Sequence, residues 1–472
     1  MMRHRVPGFL NTDATSITES GKTLSECHTR KRAMNSLDYL LSFQRFGIKL
    51  GLDNITYLLE RLGNPHHAFP SVHVTGTNGK GSVVAFIHSV LMHMGYKVGR
   101  FISPHLIDFS ERISVNDTCI TASEIDELVN LIRPIIVEMQ ENPRLSHPTF
   151  FEAVTAMAFE HFARHKVDFA VVEVGMGGRY DSTNVVEPCL SVITNVHLEH
   201  CDYLGDTLEQ IAVEKAGIIK PGIDVVSSAE QPEVRKVIDA RAGECGAKIY
   251  YLSRDFSSAL RPENFPRQWL DFTSPWTNLK NMEINLAGAF QEGNAAVALM
   301  SLELLQRKGL IPADENMLRK GMADARWPAR LEKLSEAPLM ILDGAHNPSA
   351  MRCLVDAMSA LFANRRILLV VGMLGDKDVS TCLRILRALG DTIIASQPVY
   401  ERAMPAVRLA ELARSIFPTV RLEQTLRQAL LEALRLAAPN DIILIAGSLF
   451  NVAGVKNSLP EILSSRGAFL PP

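Results

Sequence analysis

Short apolar, β-branched runs alternate with helical patterns through most of this 472-residue chain. Residues 71–75 read Ser-Val-His-Val-Thr and predict a strand that buries Val72 and Val74. Residues 83–94 switch to the helical period. The same exchange recurs, with strands predicted at 97–102, 169–174, 190–194 and 225–228 and helices at 122–140, 150–165 and 207–217. Strand and helix in regular alternation predict a mainly parallel, doubly wound sheet. Two short amphipathic helices from Leu37 onward precede it, the second closed by Gly63 and stopped by Pro65.

The pattern is interrupted at 248–283, where irregular aromatic and polar alternation predicts small antiparallel pieces. Helices are predicted at 292–308 and 315–323. The alternation then restarts, with strands at 339–342, 366–371, 392–395 and 441–446 and an edge strand at Val420. The α/β chain thus divides into an N-terminal P-loop domain over 34–326 and a smaller, Rossmann-like C-terminal domain over 327–472, with residues 326–328 as the hinge candidate. Residues 1–33 hold only isolated apolar positions and predict a disordered tail. Their apolar stretch is too short and broken for a secretory signal, and Met34 is a candidate for the true start.

Composition narrows the function. A hydrophobic content of 47%, 21% charged residues and a net charge of -3 fit a soluble protein with no basic surface for nucleic acid. No apolar run reaches membrane-spanning length. Seven scattered cysteines without a C-x-x-C pair point to reduced thiols in a cytoplasm. A monomer is the default expectation.

Candidate chemistry gathers at strand ends. After the first strand, Gly76-Thr77-Asn78-Gly79-Lys80-Gly81-Ser82 forms a glycine-rich turn before a helix. Such a turn aims backbone N–H groups and a lysine at an anion, although the spacing departs from the ordinary phosphate loop. Ser82 or Ser103 can offer a hydroxyl to a cation. Glu173 ends the apolar run FAVVEVG, where a carboxylate calls for a cation or strong donors. His200 sits in HLEHCD, as a ligand or as a surface loop histidine, with Glu199 and Asp202 adding oxygens. Lys215 reads by pattern as a solvated or Glu-paired lysine. In the second domain, LDGAHNP places Asp343 and His346 in a turn after a strand, where Asn347 and Ser349 suit an Asx turn and helix cap. GMLGDKD and GSLF are further strand-end glycine turns. No hydrolase elbow, zinc-protease pair or dinucleotide fingerprint is present. These features describe a Mg-ATP enzyme whose second domain brings another substrate.

The motifs VTGTNGKGS, ISPHLIDFSERI, TFFE, VEVGMGGRYDSTN, HLEHCDYLGDTLEQIAVEKAGI, FQEGNA, WPARLE, LDGAHNP and GSLF, in this order, resemble the folylpolyglutamate synthase family. That family, whose bacterial form is often also a dihydrofolate synthase, lies within the Mur ligase superfamily. The resemblance spans residues 37–455. It implies ATP phosphates on Thr77, Asn78, Gly79, Lys80, Gly81 and Ser82, and nucleotide contacts from Asn294 and Arg330. It implies Mg2+, two ions, on Ser103, Glu173, His200 and a carbamylated Lys215, and it admits a monovalent cation. Asp343, His346 and Ser448 match positions for the incoming L-glutamate. Phe150, Phe151 and Asp181 match the pterin end of dihydropteroate or folates. The family often has Asp-His where this chain has Glu199-His200, and WPGRLE where it has WPARLE. The expected reaction joins glutamate to an acid activated as an acyl phosphate, with Lys80, Glu173, His200, Lys215, Asp343 and His346 as the catalytic group. A peptidoglycan-type ligase is disfavoured by TFFE and GMGGRYDSTN, and an ATP-hydrolysing switch would need no acceptor residues in the second domain.

Overall fold

A computed structural model describes residues 35–464 apart from 48, 50, 263 and 264. The predicted tail at 1–33 and Met34 lie outside the described residues.

The first sheet contains β1 (Ser71–Thr75), β2 (Val98–Phe101), β3 (Ile113–Val115), β4 (Thr118–Cys119), β5 (Phe169–Glu173), β6 (Leu190–Ile193), β7 (Val225–Ser227) and β8 (Ile249–Tyr251). Their order is β4-β3-β2-β5-β1-β6-β7-β8. From β2 to β8 the pairs are parallel; β3 and β4 add an antiparallel hairpin at one edge. Every residue of β1 and β5 is buried, as expected of central strands covered on both faces. The chain leaves β1 toward β2 but reaches β6 on the other side, so the sheet reverses its winding beside β1. Ligands of doubly wound sheets sit at such a reversal.

One face packs the helices Lys80–His93 and Gln291–Arg307 in a core with Val74, Phe86, Val192 and Leu302. The other packs Ala122–Glu141 and Phe150–His165, with Phe101, Ile132, Phe159 and Val172 at the centre and the N-terminal helices outside. Residues after β8 form a three-stranded antiparallel sheet, β9 (Ser257–Pro262), β10 (Gln268–Thr273) and β11 (Asn278–Ile284), under the first face.

The second sheet orders β12 (Glu332–Glu336), β13 (Leu339–Leu342), β14 (Ile367–Val371), β15 (Thr392–Ala395), β16 (Thr419–Leu422) and β17 (Ile442–Ala446) as β12-β13-β17-β14-β15-β16. Five of these strands run parallel; β12 is antiparallel to β13. Separate cores cover its two faces.

Several elements depart from the sequence pattern, among them β8, which falls in the stretch expected to form antiparallel pieces but extends the first sheet parallel to β7. The helix after the glycine turn starts at Lys80, three residues earlier than its apolar run, because Gly79 takes the left-handed N-cap conformation at φ 86. The β3–β4 hairpin follows a segment whose polarity reads as loop. Strand β12, EKLSE, has almost no apolar signal and is held by pairing with β13.

Candidate active site

The glycine turn lies at the carboxyl end of β1 and is braced by the turn after β6. Thr77 and Asn78 donate their backbone N–H groups to the Asn195 carbonyl (2.8 Å) and to Asn195 Oδ1 (2.9 Å). Thr194 Oγ1 donates to the Asn78 carbonyl at 2.7 Å, and the His197 N–H donates to Thr77 Oγ1 at 3.0 Å. Lys80 Nζ folds back over the loop, donating to the carbonyls of Gly76 (2.8 Å) and Thr77 (3.3 Å). Ser82, buried, accepts from Gln291 Nε2 at 3.2 Å, and Gln291 in turn accepts from Asn294 Nδ2. Asn195, His197 and Gln291 are absent from the sequence-derived set, because their roles depend on approach from other strands and helices.

Two glycines are fixed by contact. A Cβ on Gly79 would meet Asn294 Oδ1 at 2.3 Å, and one on Gly81 would meet Trp327 Cζ2 at 2.2 Å. Gly81, the residue that gives the loop its unusual spacing, is therefore where the segment joining the two sheets seats its indole. Gly81→Ala is expected to unseat that ring and cost about 1–3 kcal/mol through overpacking. Tryptophan emission should shift to the red and activity should fall, because Arg330 follows three residues later. Unchanged emission and activity would show that the ring is not seated there.

Glu173 and Ser103 meet at the ends of β5 and β2. The Ser103 N–H lies 3.4 Å from Glu173 Oε2. Burial pushes the Glu173 carboxyl up to about 7, against the pull of Lys80, Ser103, Arg330 and Arg112. A buried carboxylate oxygen beside a serine is the hard donor that a dication such as Mg2+ takes, so the chemistry of this pair fits that ion. Without metal, the folded chain keeps a proton that the unfolded chain releases between pH 4.5 and about 7. This contribution to stability is therefore present below 4.5 and lost as pH rises through the window, by about 3 kcal/mol at most. Urea unfolding in chelator should show that slope in the difference between wild type and Glu173→Gln. A pH-independent difference would overturn the assignment.

Lys215 is 1% exposed, and its Nζ lies 2.6 Å from Glu199 Oε1. The solvated alternative is thereby excluded and the Glu-paired one is found. Burial lowers the Lys215 pKa against the pull of Glu199. Glu199 is held down at about 2: burial opposes its charge, and Lys215 and Lys80 more than offset that. As an ammonium Lys215 offers no lone pair to a metal. His200, at φ 48, is exposed on the loop that carries Glu199.

The second sheet presents its own strand ends. Asp343, after β13, accepts from the N–H groups of Leu331 (3.0 Å) and Ala345 (2.8 Å) and so ties the connecting segment to the turn. Burial raises its pKa, while Arg330 and these donors oppose the rise. His346 donates from Nδ1 to the Gly344 carbonyl at 2.8 Å, and burial pushes its pKa down to about 4. Ser448 accepts from the Phe450 N–H at 3.1 Å. Asn347 caps the helix Pro348–Leu361 and also donates to Asn78 Oδ1 at 3.3 Å, joining the second sheet to the glycine turn. Ala329 stands at φ 56 with its methyl buried, a left-handed conformation held by bonds from its N–H to Glu332 and from the Gly344 N–H to its carbonyl.

Phe150 faces Arg112 (5.3 Å) and the edge of Phe109, while Phe151 packs on Phe101 and against Gly175. Asp181 is buried and receives the N–H groups of Met176 (2.9 Å) and Thr183 (3.0 Å). A cavity of about 90 Å³ runs between the sheets, reached by Gly79, Ser82, Asn294, Arg330 and Asp343. A second of about 410 Å³ shares its wall at Asn195, His197, Phe290 and Asn294.

A phosphate-type cradle at the reversal of one parallel sheet, faced across a cleft by the strand-end turns of another, defines an ATP-dependent ligase of the Mur type. Residues 74–302 match the Mur ligase middle domain and residues 329–449 the Mur ligase glutamate ligase domain. The chain is 38% identical over 417 residues to the dihydrofolate synthase/folylpolyglutamate synthase of Bacillus subtilis, covering 88% of this chain and 96% of that one. Folylpolyglutamate synthase from Thermotoga maritima superposes with a TM-score of 0.80 at 34% identity, over 90% of this chain and 97% of the other. An Escherichia coli relative solved with DHPP and ADP gives 0.81 at 30% identity, over 92% and 99%. The chain belongs to the folylpolyglutamate synthase/dihydrofolate synthase family. Among the described residues no helix is long and apolar enough to cross a membrane, and the six cysteines are free.

Proposed function

We propose that the protein joins L-glutamate to dihydropteroate, and to the glutamate tail of reduced folates, at the expense of ATP. The observation that carries this reading is the meeting of two half-sites: the glycine turn with Lys80, and the Asp343–His346 turn, bridged by Asn78 and Asn347. The ATP phosphates lie on the N–H groups of residues 79–82 at the start of the helix Lys80–His93, in a turn braced by the Thr77 and Asn78 bonds to Asn195, with Lys80 swinging from its carbonyl contacts onto the terminal phosphate. The neighbouring cavity, with Asn294 on its wall, takes the nucleoside, and Arg330 reaches the phosphates from the connecting segment.

Ser103, Glu173 and His200 would hold Mg2+, with a second ion requiring Lys215 as its carbamate, freed from Glu199. When bound, the ion supplies positive charge to the phosphoryl oxygens. The acceptor carboxylate attacks the γ-phosphorus in line, aided by the Lys80 charge, to give an acyl phosphate and ADP. The acceptor's aromatic end packs along Phe150, Phe151 and Asp181. Asp343, His346 and Ser448 place the glutamate amine, which displaces phosphate and closes the amide. Neutral His346 suits removal of a proton from that amine. Closure about residues 326–328 keeps water from the acyl phosphate.

Phosphate release by purified protein with Mg-ATP should require both L-glutamate and an acceptor. Release independent of both would sink the ligase mechanism. Product analysis with dihydropteroate and with a reduced folate then measures the share of each.

A further inference from the structure

At the end of the molecule away from the cleft, the N-terminus of helix Ala122–Glu141 meets the C-terminus of helix Phe150–His165. We propose that Glu124, His161 and His165 form a second metal site, for one transition-metal dication of the zinc class, that clamps these two helices. Eleven to fifteen residues of helix separate its histidines from Phe150, about 16–22 Å at 1.5 Å per residue.

Each residue offers one ligand atom, and the three atoms lie within 4.8 Å of one another. His161 and His165, four apart on one helix face, bring their rings to 4.1 Å. Glu124 Oε1 lies 3.3 Å from His165 Nε2 and 3.9 Å from His161 Nδ1. Its other oxygen is already used: Oε2 accepts from the Thr121 N–H (2.8 Å) and Oγ1 (2.6 Å) in the helix-capping box. The carboxylate is thus fixed with one oxygen aimed at the histidines.

His165 Nδ1 lies 3.0 Å from the His161 carbonyl, which only accepts, so Nδ1 carries the proton. In the neutral ring Nε2 then presents a lone pair to a carboxylate oxygen 3.3 Å away. Two acceptors at that distance need a cation between them. A proton on His165 would serve that ring alone and leave His161 Nδ1 unused, and two imidazolium rings in contact would repel. A dication engages all three atoms. The neighbouring Arg164 is occupied elsewhere, by Glu160 at 2.7 Å and Glu127 at 3.8 Å.

Two imidazoles and one carboxylate select zinc, cobalt or nickel over Mg2+ or Ca2+. His161 is buried while Glu124 and His165 are partly exposed, which leaves a side open for a water as fourth ligand. Backbone-bonded His165 and capping-box Glu124 already have the outer contacts that orient ligands in metal sites.

The test uses the full chain, stripped with chelator and held in millimolar Mg2+ so that oxygen sites are filled. Co2+ and Zn2+ are titrated into wild type, His165→Gln and Glu124→Gln; the last keeps a capping side chain at that position. Wild type should take up one more equivalent of metal than either variant. Its Co2+ complex should show visible ligand-field bands that both variants lose, and Zn2+ should raise its unfolding midpoint more than theirs. Ligase activity in Mg-ATP without zinc should be equal in all three. Equal metal uptake and equal Co2+ spectra in wild type and variants would overturn the site, as would a His165 imidazolium that titrates against Glu124 unaffected by Zn2+.

Discussion

Lys80→Ala is expected to lower kcat by about a hundred- to a thousandfold while leaving the fold intact. The magnitude is that of removing one charged donor from a developing phosphoryl charge. The fold should survive because the hydrogen bonds of the Lys80 ammonium to described residues go to the Gly76 and Thr77 carbonyls within its own turn. The helix that begins at Lys80 is held instead by its buried face, including Val83, Phe86, Ile87 and Val90. Lys80→Arg should recover little, because a planar guanidinium cannot replace a compact ammonium in a turn packed by Asn195 and Thr194. Steady-state kinetics with ADP release as readout, alongside a thermal midpoint, separate the two effects. Retention of more than about a tenth of the wild-type rate would remove Lys80 from the phosphoryl site.

Lys215→Ala is expected to abolish most activity and also to destabilise. Removing the ammonium takes from the partly buried Glu199 its 2.6 Å partner, a loss of at most about 3–5 kcal/mol, the cost of breaking a fully buried pair on one side. The kinetic loss has two possible origins that small molecules distinguish. If Lys215 acts as a carbamate, short carboxylic acids entering the vacated space restore part of the rate. If the ammonium seen against Glu199 is itself the working form, alkylamines restore it and acids do not. Full activity in the variant would exclude both roles. Because the pair is formed at 2.6 Å, carbamylation also requires Glu199 to withdraw, and Glu199→Gln should ease it.

Much of the fold was legible because parallel strands covered on both faces must be apolar throughout. The segments around Val72, Val171, Val192, Leu369 and Leu444 carry that demand locally. The cradle was legible for the same reason, since backbone N–H groups can converge on an anion only where side chains are absent. Strands β3, β4 and β12 escaped because they are only three, two and five residues long, too short or too polar for an alternation to show, and take their stability from pairing with the neighbouring strand. Helix Cys201–Leu204, next to His200, also carries too short a pattern to predict.

By itself, then, the sequence determined a two-sheet α/β enzyme with an anion cradle at one strand end and chemistry at several others, since periodicity and glycine placement are local properties. Only the tertiary structure decided why Gly81 is glycine, which is that Trp327 lies where its Cβ would be. It likewise decided that Lys215 is paired rather than solvated, because Glu199 arrives from a separate loop. Asn347 reads as a helix cap and is one, but its second bond, to Asn78, exists only when the two sheets face each other. Contacts between segments far apart in the chain depend on where each sheet places its ends, and no window of sequence holds both partners.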